Sequence, residues 1–314
     1  MSVGFSISWS GPSVAKLQQK DNSPLPFILT ETQVSLVASL IYAGALPGPY
    51  LMGWLSNTKG RKPCVLLGGA FGIIGYTLLA LANTVMMLYF ARMIIGLGVG
   101  CLVVMILVYV GEIASTGIRG TLLTVVGLFT TSGSIALYSN ASFLSYYETA
   151  YAGLALFTMF TLCALMIPES PIYHVLKGNE EALKNVLQEL GRSGDINEVI
   201  SSKNEFSVTS NKQDWKDLVT LRSNRRSLFL SLTINVLQAS SGVLAVVFFS
   251  SIIFEIAGSP LNGDVAMIII LCLQLLGTGL AVLLIEILGR RVVLYASSLM
   301  CSLAMVGIDT TVGC

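Results

Sequence analysis

Charge is scarce in this chain. Lys, Arg, Asp and Glu make up 11% of its 314 residues, where a soluble globular domain carries roughly a quarter. Most of the surface must therefore face lipid rather than water. Histidine is nearly absent: His174 stands alone, in a polar segment, and carries no catalytic meaning. No nucleophile–base set, phosphate loop or metal-ligand spacing occurs, which argues against an enzyme and predicts no cofactor and no metal. Six cysteines (64, 101, 163, 272, 301 and 314) all lie in apolar stretches and read as small apolar residues rather than disulfides. The net charge of +1 implies no nucleic-acid partner. Met1 is followed by a Ser/Gly-rich stretch without a basic region, so no cleavable signal peptide is expected.

Long apolar runs are what the sequence has instead. Hydrophobic residues make up 54% of it, cut into pieces of about the 20 residues that a spanning helix needs. The one long polar segment, Pro168 to Arg226, divides the chain into three parts. Residues 1–167 form an N-terminal membrane half, 168–226 a linker with short helices, and 227–314 the start of a C-terminal half. Residues 3–15 are too short to span and read as the last turns of a first span. Spans two to six are predicted over 34–55, 63–82, 88–110, 121–142 and 149–167. Span seven is predicted over 227–257, span eight over 265–288, and span nine from 292 onward. The expected fold class is an all-α polytopic bundle of eight to nine spans. Gly44, Pro47, Gly48, Pro49 and Gly53 predict a kinked, closely approached span two. Short linker helices are expected over 180–191 and 214–221.

The charges are sorted by position. Fifteen Lys and Arg lie in the turns after spans two, four and eight or in the linker. Lys16 and Lys20 lie in the opposite loops, and Arg92 falls inside span four. The positive-inside rule then places 57–62, 112–120, 168–226 and 289–291 in the cytoplasm. Gly60-Arg61-Lys62 ends the second span of one half, and Gly289-Arg290-Arg291 ends the second span of the other. Same turn, same ordinal position and same side are what a parallel repeat predicts.

At these residues the chain resembles the sugar porters of the major facilitator superfamily, in the branch of facilitated trehalose and glucose transporters. Gly53-x-x-x-Asn57-Thr58-x-Gly60-Arg61-Lys62 is similar to the family's G-x-x-x-D-R-x-G-R-R. Arg92-x-x-x-Gly96-x-Gly98-x-Gly100 is similar to R-x-x-x-G-x-G-x-G. The run from Glu112 through Arg119 and Gly120 is similar to E-I-A-P-x-x-x-R-G, and Pro168-Glu169-Ser170-Pro171-Ile172-Tyr173 to P-E-S-P-R-[YF]. Gln238 to Ala245 is similar to Q-Q-x-S-G-I-N-A, and Glu286 to Arg291 to [DE]-R-x-G-R-R. The resemblance implies a sugar substrate, a lipid bilayer around the chain, and a plasma-membrane location; it leaves the oligomeric state open. It implies facilitative transport of a neutral hexose or trehalose by alternating access. Gln238, Ser241, Phe248 and Phe249 of span seven and Gln274 of span eight are the implied substrate-binding residues. Amides suit a polyol, since each both donates and accepts without charge. The same amides also serve as glue between helices, and the phenylalanines also suit a lipid-facing or core position. Arg61, Glu112, Arg119, Glu169, Glu286, Arg290 and Arg291 are the implied ion-pairing residues of the inner gate. For Glu112 the simplest partners are Arg119 and Arg61. Arg92 is either functional within the membrane or snorkels to the outer interface.

Several positions depart from the family pattern. Asn57-Thr58 replaces Asp-Arg, Ser115 replaces Pro and Ile172 replaces Arg. Ala239, Leu244 and Gly127 stand where hydrogen-bonding side chains are usual, so hexose affinity is expected to fall. The alternative reading is a non-transporting sugar-binding sensor or a truncated regulatory partner; a third is transport of another polyol. No acidic residue occurs in 3–15, which favours uniport over proton coupling. Against a twelve-span family, the chain reads as lacking most of span one and everything after span nine.

Overall fold

The computed structural model describes residues 1–17, 29–115, 117–141, 143–192, 220–240 and 263–312. Among them there is no strand. Helices α1 (Ser2–Ser8) and α2 (Ser10–Leu17) adjoin at Trp9. Then follow α3 (Glu31–Ala45), α4 (Pro47–Lys59), α5 (Arg61–Ala80), α6 (Val85–Ile113), α7 (Arg119–Ala141) and α8 (Tyr146–Met166). The linker contributes α9 (Pro171–Lys177) and α10 (Glu180–Glu189). The rest is α11 (Arg222–Ser240), α12 (Gly263–Leu288) and α13 (Arg290–Val312).

Among the described residues, five helical segments are long and apolar enough to cross a membrane: 31–59, which joins α3 and α4, and α5, α6, α7 and α8. They match expected spans two to six. Helices α12 and α13 occupy the places of spans eight and nine, and α11 that of the start of span seven. The remainder of span seven and the predicted 214–221 helix lie outside the described residues.

Local chemistry sets the helix ends. Thr30 with Gln33 and Ser145 with Glu148 form reciprocal capping boxes at the starts of α3 and α8. The second box starts α8 at Tyr146, three residues before the predicted start of span six. Span two bends as expected. Leu46 keeps helical angles, and Pro47, with no N–H to donate, opens α4 at its first position. Gly178 ends α9 in the left-handed conformation at φ 71°. Gly60 (φ 104°) and Gly289 (φ 81°) both take positive φ between consecutive helices. The two basic turns thus share a backbone feature that only glycine adopts freely.

Helix α6 is the centre of the packing. Its 29 residues extend about 43 Å at 1.5 Å per residue, more than the ~30 Å hydrocarbon core. Its ends therefore project past the lipid. One face meets span two through glycines on both sides. A Cβ on Gly96 would stand 2.1 Å from the Ile41 carbonyl oxygen, and one on Gly100 2.3 Å from that of Ala45. Reciprocally, Gly44 lies against the Met93 carbonyl and Gly48 against Gly100 and Cys101. The face carrying Gly98 lies against Gly68 and Gly72 of α5. Gly72 in turn admits the Phe157 ring of α8, which stacks 5.5 Å from Tyr76. Helix α7 packs on α1, where Gly4 and Gly133 each meet opposing backbone, and on α12. Large apolar side chains such as Tyr50, Trp54, Phe90 and Met159 face outward, as a lipid-facing surface requires.

Gly96→Ala tests this arrangement. It drives a methyl into backbone, and overpacking of this kind costs about 1–3 kcal/mol. The expected result is a melting midpoint several degrees lower in detergent. Gly53→Ala, where a Cβ meets nothing within 4 Å, should leave the midpoint unchanged or slightly raised. Equal melting of the two variants would contradict the close approach.

Candidate functional site

Three separated motifs converge at the end of α6 that carries Glu112. Arg61 opens α5 and Glu112 lies in the last turn of α6. Arg61 Nε donates to both carboxylate oxygens at 3.1 and 2.9 Å, and Nη2 donates to Oε1 at 2.9 Å. The side chains are only 7% and 13% exposed. Arg61 Nη1 donates to the Ser56 carbonyl at 3.1 Å, and the Ser170 hydroxyl donates to Glu112 Oε2. A desolvated charge is tolerable here because Nε, Nη1 and Nη2 of Arg61 each donate to an acceptor and both oxygens of Glu112 accept.

Glu169 does something different from what was expected of it. It pairs with no basic side chain among the described residues. Its Oε1 instead accepts backbone N–H groups: Arg61 at 2.8 Å, Lys62 at 3.1 Å and Ser170 at 2.9 Å. These include unsatisfied donors of the first turn of α5, where the helix dipole also favours an anion. Gly60 makes room for it, since a Cβ there would stand 2.4 Å from Glu169 Oε2. Further bonds tie the linker down. Tyr109 Oη donates to the Pro168 carbonyl at 2.7 Å, Lys62 Nζ to the Leu165 carbonyl at 2.8 Å, and Arg192 Nη1 to the Ile113 carbonyl at 2.6 Å. Of the two partners considered for Glu112, the structure selects Arg61. Arg119 stands exposed at the start of α7, and Arg291 is exposed on α13. The side chains of Glu286 and Arg290 lie outside the described part.

Arg92 does not snorkel. It is fully buried, enclosed by the first helices of the chain. Nε donates to the Val37 carbonyl at 3.1 Å, Nη1 to the Ser6 carbonyl at 3.5 Å, and Nη2 to the Ser10 hydroxyl. The guanidinium lies 4.8 Å from the Trp9 ring centroid.

On the other side of α7, α12 presents a stripe. Met267 and Leu271 bury against Tyr138 of α7. Continuing at helical spacing, Thr278 lies 4.0 Å from where a Cβ on Gly127 would stand. Gln274 falls between them on the same stripe and is exposed. Gln238, at the end of α11, is also exposed. Ser241, Phe248 and Phe249 lie outside the described residues.

Residues 8–314 match the family described as "Sugar (and other) transporter". The chain belongs to that family. Relatives include the facilitated trehalose transporter Tret1 of Culex quinquefasciatus, 30% identical over 304 residues, covering 95% of this chain and 58% of the relative. Tret1 of Anopheles gambiae is 29% identical over 99% of this chain and 39% of its own length. The chain thus spans about half the length of the curated relatives it matches. Among solved structures, the partially occluded inward-open xylose transporter XylE of E. coli aligns with a TM-score of 0.71 at 18% identity. It covers 91% of this chain and 70% of XylE. XylE bound to 6-bromo-6-deoxy-D-glucose aligns with a TM-score of 0.72 at 18% identity, over 90% of this chain and 67% of XylE. The fold is therefore that of the major facilitator superfamily, and the protein is an integral membrane protein.

For this sugar-transporter family member, the sequence pointed to Arg61, Glu112 and Glu169 but not to the roles of Ser170, Tyr109 or Arg192. Ser170 lay in view within the PESP motif. Tyr109 and Arg192 carried no such signal, since each bonds a carbonyl far away in the chain.

The Arg61–Glu112 pair predicts a non-additive cycle. Arg61→Ala or Glu112→Gln alone strands a buried partner, at about 3–5 kcal/mol. The double variant should melt no lower than the worse single one. Additive losses in thermal melts would show that the two side chains act independently.

Proposed function

We propose that this protein is a facilitative carrier of a neutral sugar, trehalose or a hexose, working by alternating access in the plasma membrane. The observation that carries the reading is the cluster of Arg61, Glu112, Glu169 and Ser170, in which three motifs of the family meet at one end of the bundle. Such a cluster has two states available: closed, with the carboxylates paired and capped, or opened by rocking of the helices. The charge distribution puts this end in the cytoplasm. Gln274, exposed on α12, supplies an uncharged donor and acceptor on the helix that adjoins α7, and Gln238 is its counterpart from span seven. Glu286, Arg290 and Arg291 are the matching gate groups of the second half. Similarity to trehalose transporters favours trehalose among the candidate substrates. Serines, rather than a carboxylate, meet Arg92 from the first helices, which favours uniport.

One observation favours a second reading, a sugar-binding sensor without transport. Gly127 faces α12 with no side chain at all, so α7 offers no hydrogen bond at that level.

Uptake and binding of labelled trehalose, glucose and fructose by vesicles carrying the protein separate the two. Saturable uptake of one sugar is the expected result. Gln274→Ala should weaken the apparent affinity about tenfold, the worth of about 1.4 kcal/mol of lost hydrogen bonding. Binding without uptake would support the sensor, and neither binding nor uptake would overturn both readings.

A further inference from the structure

We infer that Arg92 is the floor of a binding site for one small anion, enclosed between α2 and α6. Arg92 is a full positive charge at 0% exposure, seven residues into α6. That is about 10 Å along the helix from its first residue, inside the hydrocarbon. Its partners are two backbone carbonyls, one hydroxyl and one aromatic face. All are neutral, and among the described residues no carboxylate pairs with it. A buried cation without a counter-charge is among the costliest arrangements in a membrane protein.

A second observation points to what completes the site. Two further buried polar groups have no hydrogen-bond partner, one on Trp9 beside Arg92 and one a helical turn further along. The Trp9 indole N–H belongs to a side chain at 0% exposure, and the Ser13 hydroxyl to one at 1%. Residues 9 and 13 are one helical turn apart, so they share a face of the segment whose Trp9 ring and Ser10 hydroxyl already contact the guanidinium. Buried polar groups in native proteins are almost always satisfied, and each one left bare is costly. Donors here outnumber acceptors: guanidinium N–H groups, an indole N–H and the Ser10 hydroxyl meet at Arg92, and the Ser13 hydroxyl follows on the same helix face. A water molecule would satisfy the indole and the hydroxyl but leave the charge. A ligand with only lone pairs and one negative charge satisfies all of them. A monatomic halide is the smallest ligand of that kind. It would fasten the first helices to α6 without any carboxylate from the chain.

The test reads Trp9 directly. The chain has three tryptophans, Trp9, Trp54 and Trp215. In the purified full chain with Trp54→Phe and Trp215→Phe, sodium chloride is titrated against sodium gluconate at constant ionic strength. Trp9 emission and the melting midpoint are recorded, and iodide then serves as a quenching halide. The expected result is a saturable chloride-dependent change in both, saturable quenching by iodide, and no response to gluconate. Ser13→Ala should raise the half-saturating chloride concentration about tenfold, the usual worth of one hydrogen bond to a charged group. Arg92→Gln should abolish the response, and if that variant does not fold, the Ser13→Ala shift decides alone. Trp9 emission and melting that ignore chloride in the parent would overturn the proposal. So would an unchanged chloride response in Ser13→Ala or in folded Arg92→Gln. None of these readouts depends on sugar transport.

Discussion

Within a bilayer, helices gain little by burying apolar side chains against one another, because lipid tails are equally apolar. Association rests instead on how closely backbones can approach and on the polar bonds made between them. In this protein the approach is made by α6. Gly96 and Gly100 let it touch the Ile41 and Ala45 carbonyls of α3, and Gly98 does the same toward α5. The two buried arginines depend on that packing. Arg92 reaches the Val37 carbonyl because α3 lies against α6 at glycine distance. At the other end, Glu112 meets Arg61 because α5 is held against α6 along its length.

The two buried arginines show contrasting ways of enclosing a charge. Arg61 has an opposite charge from the chain itself, at an end of α6 that projects beyond the hydrocarbon. Ser170 and the Ser56 carbonyl complete the bonding. An arrangement of that kind can open when water is admitted, as a gate element requires. Arg92 lies deeper and is met only by neutral groups, with unsatisfied donors nearby. It suits a permanent tie between the first helices and the bundle.

Glu169 illustrates how a motif residue acquires its role. Its negative charge is used by the backbone of α5, whose Arg61 and Lys62 N–H groups converge on one oxygen together with the N–H of Ser170. The linker is thereby joined to the start of a span, and Gly60 is required in the turn because any side chain would occupy the place of the carboxylate. The PESP segment and the Gly-Arg-Lys turn are two halves of one joint.

Much of this was legible beforehand. The spans from α3 to α8, the kink at Pro47 and the linker helix that stops before Gly191 follow from hydropathy, proline geometry and capping, which act over a few residues; α9, ended by Gly178, was not expected. The sequence alone thus determined a membrane-embedded helical bundle of the sugar-transporter family, and singled out Arg61, Glu112 and Arg92 among its polar residues. It left open whether Glu112 paired with Arg61 or Arg119, and whether Arg92 faced inward or snorkelled. It assigned Glu169 to an ion pair when it caps a helix. Each of these depends on which face of one helix meets another many residues away. Only the tertiary packing decided them, because the partner of a charge is fixed by distance in space and by which side chains are small enough to let it approach.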